Sequence, residues 1–362
     1  MKKYILLSTL SILTILLSYS CCMTKDSSSY PNYSQKPKNI ILMIGDGMST
    51  PQVYAAMLTS KNPTSFERFP ITGLVKTYSK SHKITDSAAG GTAIATGHKT
   101  NNGMIGMNSD SIPVPSVLEA LSEKGMKTGV VATSYITHAT PASFVAKNIN
   151  RNNYEEIAMD FAKTDKVNIL IGGGKKHFTE RKDGINLIDK MVSEGWSYYD
   201  TLINTNQNDK IMILASDDHL PSYPTRGDFL PEASIMAINA LNRSENGFFL
   251  MIEGSQIDFA AHDSDSTYLV NEMHDFDNTI NKVLDFAEKD GNTLVIVTAD
   301  HETGGLTMID PNGRYTETCF KFSTGSHSPL LVPLFAFGPG ADKFSGIIEN
   351  TDIIKIILNI ME

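Results

Sequence analysis

Carboxylates, imidazoles and one serine recur where apolar runs end. Asp46 closes Ile44-Gly45-Asp46-Gly47-Met48, and Ser87 follows Asp86 in Thr85-Asp86-Ser87-Ala88-Ala89-Gly90-Gly91-Thr92. Glu253, Asp258 and His262 share one segment, Asp300 and His301 are adjacent, and His327 stands in Gly325-Ser326-His327-Ser328. Oxygen and imidazole donors in such numbers suit divalent metals. A serine hydroxyl with no histidine base nearby in sequence is a poor nucleophile, and a metal ion holding it as the alkoxide would correct that. Together these residues are what a multi-metal phosphoryl-transfer site requires.

Each segment also has a plainer reading. Gly-Asp-Gly is a common turn, and Ser87 could be an ordinary helix N-cap. If Ser87 instead opens a helix over the small-residue stretch that follows, unpaired N–H groups there would favour an anion. The four-residue spacing of Asp258 and His262 puts both on one face of a helical turn. Adjacent Asp300 and His301 can serve one ion only where the backbone turns, which Gly304 and Gly305 permit. His327, taken alone, reads as structural.

The elements that must position these groups are short β-branched runs, each followed by a Gly or acidic turn and a helical stretch. The runs are Asn39–Ile44, Thr128–Ala132, Val167–Ile171, Lys210–Ala215, Phe248–Ile252, Thr293–Thr298 and Val332–Ala336. Continuous apolar strands alternating with helices predict an α/β fold: a central, mainly parallel β-sheet with helices on both faces. In such sheets ligands gather beyond the carboxyl ends of the strands, and Asp46, Glu253 and Asp300 lie one or two residues past a run. The clearest helix spans about Thr267 to Lys289, where Leu269, Met273, Phe276, Ile280, Val283 and Ala287 form one apolar stripe. His274 beside it reads as a surface or partly buried histidine. Residues 150–235 show no evident catalytic cluster, and Gly172-Gly173-Gly174 reads as a turn rather than a phosphate cradle.

The N-terminus has a different character. Lys2 and Lys3 precede an apolar run from Tyr4 to Leu17, shorter than the roughly 20 residues of a bilayer span and typical of an export signal over 1–20. Cys21, after Leu17-Ser18-Tyr19-Ser20, fits a lipid-attachment cysteine, and residues 21–37 read as a Ser-rich tether. These features predict an exported protein, periplasmic or anchored as a lipoprotein, touching the membrane only through its signal or lipid. Cys21 and Cys22 aside, Cys319 is the lone thiol, so no disulfide framework supports the fold. A formal charge of −9 and the lack of a basic stripe argue against nucleic acid as a bound partner. Phosphate attraction must then come from the site itself.

Over roughly 38–362 the sequence resembles a bacterial alkaline phosphatase. Gly45-Asp46-Gly47, Thr85-Asp86-Ser87-Ala88-Ala89, Glu253 to His262, Thr298-Ala299-Asp300-His301 and the His327 region match in order and spacing. The resemblance implies one catalytic domain with at most a small crown insertion, the segment between Thr303 and Thr324 being short. It implies Ser87 as a phosphorylated nucleophile acting on small phosphate monoesters. Asp46, Asp300 and His301 would hold one zinc, and Asp258, His262 and His327 a second. Asp46, Thr140 and Glu253 would hold a magnesium. Arg151, eleven residues after Thr140, would clamp the phosphate, with Asp86 and His138 in support; a homodimer is left open. Two departures stand out. His138 occupies a position that varies between aspartate and histidine, and here should loosen the magnesium site. Phe259 replaces a polar or larger residue, which should alter phosphate affinity.

Two rival readings remain. A phosphodiesterase or sulfatase on the same scaffold would often lack the third-ion ligands, and a metal-storing or phosphate-binding lipoprotein would need neither nucleophile nor clamp.

Overall fold

The computed structural model describes residues 33–203, 208–310 and 319–362. The expected signal peptide, Cys21 and most of the tether lie outside those residues. Among the described residues no helix is long and apolar enough to cross a membrane.

Among the described residues fourteen strands follow in chain order: β1 Asn39–Gly45, β2 Ile71–Lys76, β3 Lys127–Tyr135, β4 Ile169–Gly173, β5 Ser197–Tyr199, β6 Ile211–Leu214, β7 Phe248–Gly254, β8 Thr293–Thr298, β9 Glu302–Thr303, β10 Leu306–Ile309, β11 Cys319–Phe322, β12 His327–Ser328, β13 Val332–Phe337 and β14 Gly346–Glu349. Ten of them build one sheet in the order β14-β2-β13-β8-β1-β7-β3-β4-β6-β5. Strand β13 runs antiparallel to both its neighbours, β8 and β2, and the remaining pairs are parallel. Every residue of β1, β7 and β8 is buried. That is the reason these runs are apolar without alternation: helices cover both faces of the sheet.

The predicted helix is present as Ser266–Asp290. Asp265 caps it by accepting from the amides of Thr267 and Tyr268, and Gly291 ends it in a left-handed conformation at φ 70°. Its stripe from Leu269 to Ala287 is buried. Glu272 and Asp275 also point inward, each meeting the guanidinium of Arg226 (2.5 and 2.6 Å) in an almost fully buried triad. His274 is partly buried and bonds Thr59 Oγ1 at 2.9 Å. The flanks of the short crown segment pair as the antiparallel hairpin β10–β11, and residues 311–318 lie outside the description.

Of the ten strands in the large sheet, β2, β5 and β14 have no counterpart among the runs read from sequence. Ile71–Lys76 is interrupted by Gly73, where a Cβ would stand only 2.6 Å from the Phe344 carbonyl oxygen. Ser197–Tyr199 has three residues and Gly346–Glu349 four, too few for periodicity to register.

Candidate active site

The carboxyl ends of β8, β1, β7 and β3 lie side by side and carry most of the candidate residues. Asp46 follows β1, Asp300 and His301 follow β8, Glu253 is the penultimate residue of β7, and Thr140 lies in the short helix Ala139–Ala142 beyond β3. Asp258 and His262 sit four apart on the helix Gln256–His262 after β7, as their spacing requires. His327 arrives on β12, which pairs with β9 directly behind His301. Segments nearly three hundred positions apart thus meet at one edge.

Ser87 is the first residue of the helix Ser87–Thr96, whose residues are all buried. Asp86, not Ser87, is its N-cap, accepting from Ala89 N at 3.0 Å. This leaves the Ser87 hydroxyl free to face the site. Small side chains bring the helix against β8: a Cβ on Gly90 would stand 2.8 Å from the Asp300 carbonyl oxygen. Ser87 Oγ lies 3.1 Å from His301 Nε2.

The tautomers of three histidines follow from their partners. Thr303 Oγ1 donates its single proton to Asp258 Oδ1, so its 3.2 Å contact with His301 Nδ1 must be a bond donated by the ring. His301 Nε2 therefore bears a lone pair, yet it faces Asp46 Oδ1 at 3.4 Å and Asp300 Oδ2 at 3.3 Å. Both of those oxygens are buried and accept no hydrogen bond among the described residues. His262 Nδ1 and His327 Nδ1 each bond a carbonyl oxygen at 2.8 Å, that of Gly325 and of Thr85 respectively. Their Nε2 atoms, again lone-pair bearing, face each other at 3.2 Å, with Asp258 Oδ1 3.4 and 3.7 Å away. Lone pairs gathered in this way repel unless a cation lies among them, and carbonyl-oriented imidazoles are the usual outer support of a metal ligand. Asp46, Asp300, His301 form one such donor group and Asp258, His262, His327 another. The rings of His301 and His327 stack at 3.7 Å, so the groups adjoin.

A third group comprises Asp46, Glu253 and His138. Thr140 Oγ1 is 3.3 Å from Asp46 Oδ2. Glu253 accepts from Ser134 Oγ (3.1 Å) and Ser255 Oγ on Oε2, while its buried Oε1 accepts nothing among the described residues. The sequence reading gave His138 only a supporting role; the geometry brings it within reach as a donor. Mixed imidazole and carboxylate sets suit zinc, and the oxygen-rich third set suits magnesium.

Burial dominates the electrostatics. It raises the pKa of Asp46 well above the usual carboxylate range, helped by Asp300, Asp258 and Glu253. It pushes Glu253 up to about 7 and Asp300 to about 6. Burial also holds His301 and His138 far below the ordinary imidazole value, with His327 and Arg151 respectively adding to it. The lowered imidazoles stay neutral and keep their lone pairs, and the raised carboxylates report a site that needs positive charge. Arg151 supplies part of it. Burial opposes its charge, but Asp86 raises its pKa, and its Nη1 meets Asp86 Oδ2 at 3.1 Å. Its Nη2 donates to His138 Nε2 at 3.3 Å.

The profile of the family described as alkaline phosphatase matches residues 37–321. The chain belongs to the alkaline phosphatase family. Alkaline phosphatase 4 of Bacillus subtilis is 34% identical, over all of this chain and 97% of that protein. The alkaline phosphatase of Escherichia coli is 29% identical, over 88% of this chain and 85% of that one. The solved alkaline phosphatase of the Antarctic bacterium TAB5 is 42% identical, covers 90% of this chain and 98% of its own, and superposes with a TM-score of 0.87. A variant of it has been solved with magnesium bound in its M3 site. The alkaline phosphatase described here is accordingly a metal-binding hydrolase of phosphate monoesters with the family's α/β fold.

Sequence reasoning passed over His219. It lies past β6, beyond the carboxyl end of a recognised strand, and its ring meets His138 (5.7 Å between centroids) and Phe259 (4.9 Å). It stands four residues past the run Lys210–Ala215, farther out than Asp46 or Asp300 from theirs, so that rule did not reach it.

Proposed function

We propose that this alkaline phosphatase works through a phosphoserine at Ser87 and two zinc ions with one magnesium. The observation that carries the reading is the convergence of lone-pair atoms: His301 Nε2, Asp46 Oδ1 and Asp300 Oδ2 around Ser87 Oγ, with His262, His327 and Asp258 beside them. Asp46, Asp300 and His301 would hold one zinc, Asp258, His262 and His327 the other, and Asp46, Thr140 and Glu253, with His138 at its edge, the magnesium. Bound there, the ions would lower the pKa of the serine hydroxyl and offset charge on the attacking and leaving oxygens.

The chain's own groups do the rest. Ser87 Oγ, at a helix N-terminus, attacks phosphorus; the new Ser–O–P bond forms as the ester O–P bond breaks, and the alcohol leaves. Arg151, held by Asp86, presents two N–H groups to non-bridging oxygens. Water then attacks the phosphoserine from the side the alcohol vacated, releasing inorganic phosphate and restoring the hydroxyl. Nothing in this scheme grips the alcohol tightly, so small monoesters of many kinds should serve.

Ser87→Ala tests the covalent step. Turnover of p-nitrophenyl phosphate should collapse, and acid-quenched wild-type protein should carry one phosphoryl group on Ser87. Near-wild-type hydrolysis by the variant would refute the intermediate. We also infer export and lipid attachment at Cys21, supported by the N-terminal sequence; loss of labelled-lipid incorporation in Cys21→Ala is the expected result.

A further inference from the structure

The carboxyl edge beyond the metal-donor groups carries an array of rings that the scheme above does not use. Tyr135 ends β3, His177 follows β4, His219 follows β6 and Phe259 follows β7. Tyr135 stacks on His219 with centroids 3.5 Å apart and planes at 16°. Lys176 and Asp218 pair at the rim, both bonding the Tyr135 hydroxyl. The loop bearing His219 is pinned on several sides. Gly174 N donates to the carbonyls of Ser216 and Asp218 (3.0 Å each), Ser216 Oγ to that of His219 (3.1 Å), and Leu220 N to that of Thr133 (3.2 Å). A ring held this firmly on a loop is a positioned group.

Its protonation pattern is fixed as well. The amide of Tyr135 donates to His219 Nδ1 at 3.0 Å. An amide can only donate, so Nδ1 carries the lone pair and Nε2 the proton. Burial, with Lys176 and His177 nearby, keeps the imidazole pKa at about 4 despite Asp218, and the tautomer persists through the range in which the enzyme works. Among the described residues Nε2 has no hydrogen-bond partner, and the half-buried ring leaves it open to water.

The ring is linked to the phosphate clamp through His138, which meets His219 edge to face and Arg151 by a hydrogen bond. Phe259 follows Asp258 directly and meets both His219 and His138 edge to face. His138 Nε2 is already engaged by Arg151. Of these three rings, Phe259 has no donor, and His138, whose Nε2 accepts from Arg151, keeps its other ring nitrogen buried; His219 offers an N–H that water can reach.

Resting on the phosphomonoesterase reading above, we propose that His219 is a substrate-positioning residue whose Nε2–H, through one water, holds a non-bridging oxygen of the bound phosphate. A single neutral hydrogen bond of this kind changes affinity by about three- to tenfold.

The test uses metal-loaded enzyme. His219→Phe keeps the ring and removes the donor; His219→Gln restores an N–H at similar reach and an acceptor for Tyr135 N. KM and kcat on p-nitrophenyl phosphate, inorganic phosphate affinity by titration calorimetry, and bound magnesium are measured for each. His219→Phe should raise KM and the phosphate Kd three- to tenfold, with kcat lowered less than twofold and magnesium content unchanged. His219→Gln should recover most of the affinity. Wild-type KM and Kd in His219→Phe would overturn the proposal. So would a loss of magnesium in step with affinity, since that outcome means His219 merely supports His138. If losing the Tyr135 acceptor unfolds His219→Phe, His219→Asn takes its place with the same expectations, because it keeps that acceptor but does not reach as far. A wild-type enzyme without monoesterase turnover would instead refute the function on which the proposal rests.

Discussion

Gly90→Ala adds one methyl group to the helix that carries Ser87 and should damage catalysis without unfolding the protein. The new Cβ would lie 2.8 Å from the Asp300 carbonyl oxygen and 3.2 Å from Asp300 Cβ. Carbon–oxygen contacts begin near 3.3 Å, so helix and strand end must separate by about 0.5 Å. Neither side yields easily, for one is backbone and the other the interior of a helix whose residues are all buried. Alanine improves helix propensity by about 1 kcal/mol, which offsets part of the packing cost, and the thermal midpoint should fall by only a few degrees. Catalysis has no such offset. The movement separates Ser87 Oγ from Asp300 and His301, and a misplacement of 1 Å costs on the order of 100-fold; half that distance should lower kcat about tenfold. The assay is steady-state turnover of p-nitrophenyl phosphate, with zinc content and thermal midpoint measured on the same samples. Wild-type kcat in a folded, metal-replete variant would show that the close helix–strand approach does not set the nucleophile's position.

Chelation should abolish turnover and lower the thermal midpoint, because Asp46, Glu253 and Asp300 then face one another uncompensated. Refilling the protein near pH 6 should release protons, read with an indicator dye, since burial lifts Glu253 to about 7 and Asp300 to about 6. Arg226→Met should cost about 3–5 kcal/mol by urea denaturation, because it strands Glu272 and Asp275 in the core. That variant should regain stability as pH falls from 7 towards 5: burial raises the Asp275 pKa to about 6 even with Arg226 present, so this carboxylate binds more protons folded than unfolded. His177 behaves with the opposite sign. Burial, then Lys176, lowers its pKa to about 4, so its contribution is present above about 6.5 and is lost as pH falls towards 4. His177→Gln should flatten that part of the urea-midpoint profile, and an unchanged acid limb would contradict the assignment.

The sheet was legible wherever burial on both faces leaves an uninterrupted apolar run; β1 and β8 fall within a residue of their expected bounds. The same logic could not reach β2, whose run Gly73 interrupts, or the short β5 and β14. The convergence of the candidate residues was legible because they follow strands whose carboxyl ends share one edge of the sheet, and all three donor groups assemble there. Two features of the site depend on tertiary detail. That His138 stands close enough to share the third group follows from the turn between Tyr135 and Ala139, and spacing says nothing of it. His219 escaped notice because its neighbours, Asp217 and Asp218, look like an ordinary solvated loop, while the amide that fixes its tautomer comes from Tyr135, 84 residues earlier.

Asp46 belongs to two of the three donor groups, one oxygen toward His301 and Asp300 and the other toward Thr140. In the assignment proposed here a single carboxylate therefore answers to two ions, and whatever occupies one side alters the electron density available to the other. Reciprocity then demands that each ion change its neighbour's grip by the same factor, so loading curves for zinc and magnesium cannot be independent. Magnesium, remote from the phosphorus, would gain a say in how basic the serine oxygen is.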